Sequence, residues 1–239
     1  MKIGYVGASG LMGHGMVKNL LAKGQQVAIT VHQQRERVQD LLDAGATLAP
    51  SIAALGASCD VVLVCVTGSP QVEAVVAGAE GLLSQAKTGL VIVDCSTSEP
   101  ASTAHLRERA QAKGVHLVDA PLARSPVEAE AGRLNIMVGA APDMFAKLEP
   151  VLKCCAENVF HVGGPGAGHG IKLLNNFIGQ AICTATAEAF AVGQRAGIDP
   201  KQLVALVGAG PVNSGLFQAM AKTLDGDLTG LKFELDNAR

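Results

Sequence analysis

The chain has no tryptophan, one tyrosine and six phenylalanines, so aromatic residues fill only 3% of its 239 positions. That scarcity removes the stacking platforms used to hold single-stranded nucleic acid, and a net charge of −2 with scattered Lys and Arg removes the electrostatic footprint. No nucleic-acid partner is expected. No apolar run reaches the roughly 20 residues of a membrane span, and Met1 leads into a strand-like run, Lys2 to Val6, with no apolar leader. A soluble, cytoplasmic protein away from membranes is expected. The six cysteines (Cys59, Cys65, Cys95, Cys154, Cys155, Cys183) form no C-x-x-C pair, and the histidines (His14, His32, His105, His116, His161, His169) show no metal-ligand spacing. Buried thiols are expected, with no disulfide and no metal. Ser9 and Ser125 stand in loops without an identifiable base, which leaves nucleophilic catalysis with little support. A small molecule is the remaining class of ligand.

What is present is apolar and periodic. Hydrophobic residues make up 49% of the chain and the mean hydropathy is +0.30, enough for one sizeable core and a smaller helical unit. Ile3 to Val6 reads as a strand, Gly10 to Lys23 as a helix stopped by Gly24, Val27 to Val31 as a strand, and Arg35 to Ala44 as a helix stopped by Gly45. Further strands are read at Val61 to Val66, Leu90 to Asp94, Val115 to Ala120 and Asn135 to Val138. A helix from Glu99 to Lys113 has Ser98 as its expected N-cap, Pro100 in its first turn and Gly114 past its end. Runs apolar along their whole length, such as VVLVCV at 61 to 66, suit strands covered on both faces. The architecture is α/β, a Rossmann-type doubly wound sheet. From Ile178 the chain reads as helices only, with Gly197 as a stop and Asp199-Pro200 as a start. Two domains are expected, 1–163 for a dinucleotide and 164–239 all-α, opened by a long interdomain helix. The pattern at Leu231 to Arg239 has no terminating signal, so the sequence reads as cut short of a full α domain.

After the first strand the chain runs Gly7-Ala8-Ser9-Gly10-Leu11-Met12-Gly13 into a helix. Small residues there let a pyrophosphate approach N–H groups at a helix start, although glycines also serve tight strand-to-helix packing. The spacing is G-x-x-G-x-x-G, not G-x-G-x-x-G. The expected cofactor contacts are Gly7, Ser9, Gly10, Leu11 and Met12, with Val66 and Thr67 at the end of the VVLVCV strand. At the end of the second strand, Val31-His32-Gln33-Gln34-Arg35 offers no carboxylate for a ribose 2′-hydroxyl. His32 and Arg35, or Arg37, could instead accept a 2′-phosphate, which favours NADP over NAD; the same residues also fit an exposed helix start.

The stretch Gly163 to Asn176, GGPGAGHGIKLLNN, is hinge and helix start at once. Lys172 and Asn176 are four residues apart, on one helix face, near N-terminal N–H groups that favour negative charge. An ammonium and an amide would face a ligand together; a solvated lysine and a surface asparagine fit the spacing equally. His169, beside the hinge, is the histidine placed to touch a ligand.

Four segments, KIGYVGASGLMGHGMVKNLL at 2 to 21, VDCSTSEP at 93 to 100, VDAPLARSPVEAEAGRLNIMVGA at 118 to 140 and GGPGAGHGIKLLNN at 163 to 176, resemble the β-hydroxyacid dehydrogenases. The resemblance implies hydride transfer between NAD(P) and a short β-hydroxy acid or its semialdehyde. It gives Lys172 the proton-transfer role and Asn176 a substrate contact, sets Ser96 and Thr97 near the nicotinamide, and puts the substrate's acid group in the loop after Asp119. Lysine suits the chemistry, since it can take the hydroxyl proton and later return it. Where most members have Ser-Gly-Gly, this chain has Ala123, Arg124 and Ser125, a variant similar to that of sulfolactaldehyde reductase, so Arg124 is expected to grip a carboxylate or sulfonate head. Solvent exposure or pairing with Glu128 are the alternatives for Arg124. A homodimer or homotetramer through the all-α domain is expected. Imine reductases share the architecture but replace this lysine, and a non-catalytic nucleotide-binding regulator is the alternative of a different class.

Overall fold

The computed structural model describes residues 1–31 and 35–228. His32 and the pattern at 231–239 lie outside the described residues. The first half alternates strands and helices: β1 (Lys2–Val6), α1 (Gly13–Ala22), β2 (Gln26–Thr30), a 3₁₀ turn (Arg35–Val38) into α2 (Gln39–Asp43), β3 (Thr47–Leu48), α3 (Ile52–Ser58), β4 (Val61–Val64), α4 (Ser69–Ala77), β5 (Val91–Asp94), α5 (Pro100–Gln111) and β6 (His116–Asp119). There follow β7 (Leu122–Ala123), α6 (Pro126–Glu130), β8 (Leu134–Gly139), α7 (Pro142–Leu152), β9 (Ala156–Gly163), α8 (Ala167–Arg195), α9 (Pro200–Gly208) and α10 (Gly215–Lys222). No helix among the described residues is long and apolar enough to cross a membrane.

The strands form one sheet in the order β3-β2-β1-β4-β5-β6-β8-β7, with β9 paired to β8. From β3 to β6 all pairing is parallel. The order reverses at β1, which lies between β2 and β4, and such a reversal opens a crevice at the carboxyl ends of the strands. Beyond β6 the sheet is mixed. β6 meets β8 antiparallel through one pair, Asp119 and Gly139, and β9 returns parallel to β8. β9, AENVFHVG, falls where the sequence shows no strand signal, because a strand paired only to β8 keeps half-buried and exposed polar residues.

The central strands carry apolar side chains on both faces. In β4, Val61 and Leu63 enter one buried cluster with Met16 and Leu20 of α1, while Val62 and Val64 enter another with Val72 and Val76 of α4. Each fully buried Val or Leu stabilises the fold by roughly 1.5–3 kcal/mol relative to exposure. Cys59, Cys95 and Cys155 are buried in these clusters as free thiols.

The chain divides into two compact units, Met1–Lys172 and Leu173–Arg239. The second has a small core in which Phe190 and Phe217 meet at a 6.1 Å centroid distance, tilted by 58°. Along α8, Leu174, Phe177 and Ile178 are exposed.

An ion cluster fastens α1 to its neighbours. His14 sets Nδ1 2.6 Å from Glu130 and Nε2 2.9 Å from Asp40, while Lys18 reaches Glu130 at 3.0 Å. Burial alone would lower the His14 pKa, but the two carboxylates outweigh it and raise the value. His14 holds the Asp40 pKa below the usual carboxylate range. A raised imidazole contributes stability that is full below its unfolded value of about 6.5 and is lost as pH rises through the folded value. The lowered carboxylate contributes above its unfolded value and loses that contribution as pH falls through the folded one. The partners are well exposed, so the contribution is about 1 kcal/mol at most. His14→Gln is expected to lower the melting temperature at pH 6 and to leave it nearly unchanged at pH 9; equal losses at both would assign the effect to packing.

Candidate active site

The glycine turn explains its own glycines. Gly7 has φ +99°, and a Cβ there would lie 2.0 Å from the Cys65 carbonyl oxygen. Gly13 opens α1, and a Cβ on it would lie 2.1 Å from the Gly7 carbonyl oxygen. The turn closes when Gly10 N–H donates to Gly7 O at 3.0 Å, and His14 N–H then donates to Gly10 O at 3.1 Å. The helix therefore starts at Gly13, three residues later than the pattern from Gly10 suggests. Among the described residues the N–H groups of Leu11, Met12 and Gly13 have no acceptor, and Leu11 is 72% exposed. Free N–H groups at a helix start, on a crevice at strand carboxyl ends, fit a dinucleotide's pyrophosphate. Ser9 is half-buried and Gly10 exposed in the same turn. Arg35 and Arg37 are exposed on the 3₁₀ turn after β2, with no partner among the described residues.

The loops after β4 and β5 are tied together. Val66 N–H donates to Ser96 Oγ at 3.0 Å, and Ser96 is 3% exposed. Its hydroxyl joins the loops rather than offering surface to a ligand; Thr97 is half-buried and Thr67 exposed. Asp94, at the end of β5 and 1% exposed, organises the turn by accepting from Ser96 N–H at 2.9 Å and from the Ser98 hydroxyl at 2.8 Å. Ser98 is thus not the N-cap of α5; Glu99 takes that position without a side-chain bond, because the Ser98 hydroxyl is committed to Asp94.

A second buried carboxylate, Asp119, sits at the end of β6, in register with Asp94 on β5. It accepts from Gly166 N–H at 2.7 Å and from His169 N–H at 3.1 Å. The N-terminal end of α8 is therefore satisfied by Asp119 and does not present those N–H groups to a ligand. Gly168 packs on the sheet, where a Cβ would lie 2.6 Å from the Met137 carbonyl oxygen and 2.8 Å from that of Asp119. His169, placed by the sequence as a ligand contact, is fully buried, with Nδ1 2.7 Å from Thr103 Oγ1. Docking of the helix start onto β6 and β8 takes its ring inside. Lys172 follows Gly168 by one turn on the same face. It is half-buried, no acceptor holds its ammonium among the described residues, and burial lowers its pKa from the ordinary lysine value. Asn176 is half-buried a further turn along α8.

The loop after β6 departs from the sequence reading. Arg124 Nη1 donates to the Arg133 carbonyl oxygen at 2.6 Å and pairs with Glu157 of β9, not with Glu128. Glu128 instead closes a capping box with Ser125, whose hydroxyl is spent starting α6. Ala123 is half-buried in β7 opposite Asn135. A substrate anion would have to displace Glu157 to reach Nη1. Arg124 also has φ +83°, the sole positive φ outside glycine among the described residues, at a position where most members of the resembling family have glycine. Arg124→Ala is expected to change kcat/KM by less than about threefold on anionic and neutral substrates alike, since an exposed ion pair contributes about 1 kcal/mol or less. A tenfold loss confined to anionic substrates would show that Glu157 yields to them.

Asp94, Thr103 and Asp119 belong to no motif that marks them as site residues in the sequence. The available signal was an acid closing each of two apolar runs, VIVD and HLVD.

Residues 2–163 match the family model described as the NAD binding domain of 6-phosphogluconate dehydrogenase, and residues 166–235 match that described as NAD-binding of NADP-dependent 3-hydroxyisobutyrate dehydrogenase. The chain is 34% identical to 2-(hydroxymethyl)glutarate dehydrogenase of Eubacterium barkeri over 96% of this chain and 76% of that protein. It is 36% identical to 3-hydroxyisobutyrate dehydrogenase of Pseudomonas aeruginosa over 81% of this chain and 65% of that one. The solved structure of Mycobacterium tuberculosis 3-hydroxyisobutyrate dehydrogenase with L-serine superposes with a TM-score of 0.80 at 25% identity, covering 90% of this chain and 72% of that one. With a glycine turn suited to a dinucleotide and these matches along both units, the chain belongs to the β-hydroxyacid dehydrogenase family and is an NAD(P)-dependent oxidoreductase.

Proposed function

We propose that the protein interconverts a short β-hydroxy acid carrying a carboxylate and its semialdehyde, with Lys172 as general acid and base and Asn176 as a substrate contact. The observation that carries this is Lys172 itself, a half-buried ammonium with a lowered pKa and no acceptor among the described residues. It stands one turn beyond the point where α8 docks on the ends of β6 and β8. A lysine so placed takes the hydroxyl proton in oxidation and returns it in reduction, and burial brings its pKa toward the working range. The nicotinamide, when bound, supplies the hydride acceptor or donor. Residues 1–163 form the dinucleotide-binding domain and 164–239 the all-α domain. Leu174, Phe177 and Ile178, exposed on α8, support self-association through the latter.

The test is nicotinamide oxidation or reduction with 3-hydroxyisobutyrate, 2-(hydroxymethyl)glutarate, L-serine, their semialdehydes and a cyclic imine. Turnover of the hydroxy acid pairs is expected. Turnover of the imine alone, or dinucleotide binding with no turnover, would replace this reading with a reductase of imines or a regulator.

For the cofactor, two exposed guanidinium groups after β2, without partners among the described residues, support NADP. A charge-assisted contact to a 2′-phosphate contributes roughly 1.5–3 kcal/mol, so NADPH is expected to bind at least about tenfold more tightly than NADH by calorimetry. Arg35→Ala should reduce the difference. Equal affinities in the parent protein would remove the preference.

A further inference from the structure

His169 is fully buried, and among the described residues its hydrogen bonds go to Thr103 and Asp119, not to a group assigned to substrate or cofactor. Its surroundings are specific. Nδ1 lies 2.7 Å from Thr103 Oγ1, which in turn lies 3.1 Å from the Glu99 carbonyl oxygen. Nε2 is buried, has no hydrogen-bond partner among the described residues and faces Asp94 Oδ2 at 3.6 Å. A bare lone pair on Nε2 would point at a carboxylate oxygen in a dry interior, two acceptors face to face, which is costly. A proton on Nε2 turns the same geometry into attraction. Asp94 already draws in Ser96 N–H and the Ser98 hydroxyl, so it sets the loop that carries Ser96 and Thr97. The backbone N–H of His169 is held by Asp119 at 3.1 Å, three residues before Lys172. The end of β5 and Thr103 of α5 therefore meet the imidazole of His169, while the end of β6 holds its backbone N–H.

We propose that His169 is a positioning residue: with its proton on Nε2 directed at Asp94, it locks the Ser96–Thr97 loop to the turn of α8 that carries Lys172. The proposal rests on the reading of Lys172 as acid and base. Lysine and loop belong to different elements, and without a lock each could shift by the fraction of an ångström that proton and hydride transfer do not tolerate; a misplacement of about 1 Å can cost a hundredfold.

The test compares three substitutions. Gln places an amide N–H near the position of Nε2, Asn places one near Nδ1, and Phe fills the ring volume with neither. Oxidation of 3-hydroxyisobutyrate with NADP+ is followed together with NADP+ affinity by calorimetry and thermal unfolding. His169→Phe and His169→Asn are expected to lower kcat about ten- to hundredfold with NADP+ affinity within about threefold of the parent, and His169→Gln to recover most of kcat. Equal kcat in Gln and Asn variants would reduce His169 to a core filler and overturn the proposal, and that pair decides the matter even where the Phe variant does not fold. Nitrogen NMR of the parent gives a reading free of activity: a protonated Nε2 is expected, and a bare Nε2 overturns the lock. Lys172→Ala assayed beside them separates the two ideas. Retained turnover there defeats the acid and base reading, whereas a silent Lys172→Ala with a fully active His169→Phe defeats only the positioning role.

Discussion

Lys172→Ala is expected to lower kcat at least a hundredfold while leaving dinucleotide affinity within about twofold, because the substitution removes the proton carrier and none of the glycine-turn N–H groups. The ammonium is half-buried and its pKa is lowered by burial, so alanine also relieves a desolvation cost. No loss of folding stability is therefore expected, and thermal unfolding of the variant should match the parent within a few degrees. Steady-state rates with 3-hydroxyisobutyrate, in parallel with calorimetric NADP+ titration, check both halves. A variant retaining more than about a tenth of the parent kcat would remove Lys172 from proton transfer. Parallel loss of affinity and rate would assign it to cofactor binding instead.

Gly13→Ala is expected to produce the second large effect, on stability and dinucleotide affinity together. The new methyl group would sit 2.1 Å from the Gly7 carbonyl oxygen and 3.1 Å from Cε1 of Tyr5, a ring that is fully buried. The same carbonyl accepts the Gly10 N–H that closes the turn, so it cannot retreat without opening the turn. Overpacking costs about 1–3 kcal/mol and the lost bond about 1 kcal/mol more. For a chain of this size that is a fall of about 5–15 °C in melting temperature. Dinucleotide affinity should drop more than tenfold, as the N–H groups of Leu11 and Met12 move with the turn. Gly24→Ala is the control: φ is +77° but nothing lies within 4 Å of the added carbon, so it should lose about 1 kcal/mol of stability and no affinity. A Gly13→Ala protein with parental affinity would show that the turn is packing alone.

The sheet was readable because its central strands are apolar throughout and its helices stop on glycine. Gly24, Gly45, Gly114 and Gly197, the glycines that close helical patterns in the sequence, all have φ between +68° and +106°. β9 and α3 were not readable. The first is a polar strand added to β8, and the second is a seven-residue helix whose period is too short to register. In the site, Lys172 and the glycine turn stand out through local spacing. His169 misleads for the opposite reason: it sits in a glycine-rich stretch that looks exposed, and only docking of the start of α8 on β6 buries it. Arg124 misleads because its partner, Glu157, is 33 residues away.

The thiols hold a practical consequence. Cys59, Cys95 and Cys155 lie inside the sheet's two apolar clusters, and burial pushes the Cys95 and Cys155 thiols far above the range in which thiolate forms. An alkylating reagent meets these sulfurs only after the sheet opens, whereas Cys154 and Cys183 are half-buried. The rate at which iodoacetamide modifies the three interior cysteines therefore records the opening of the sheet in a protein that has no tryptophan to report it.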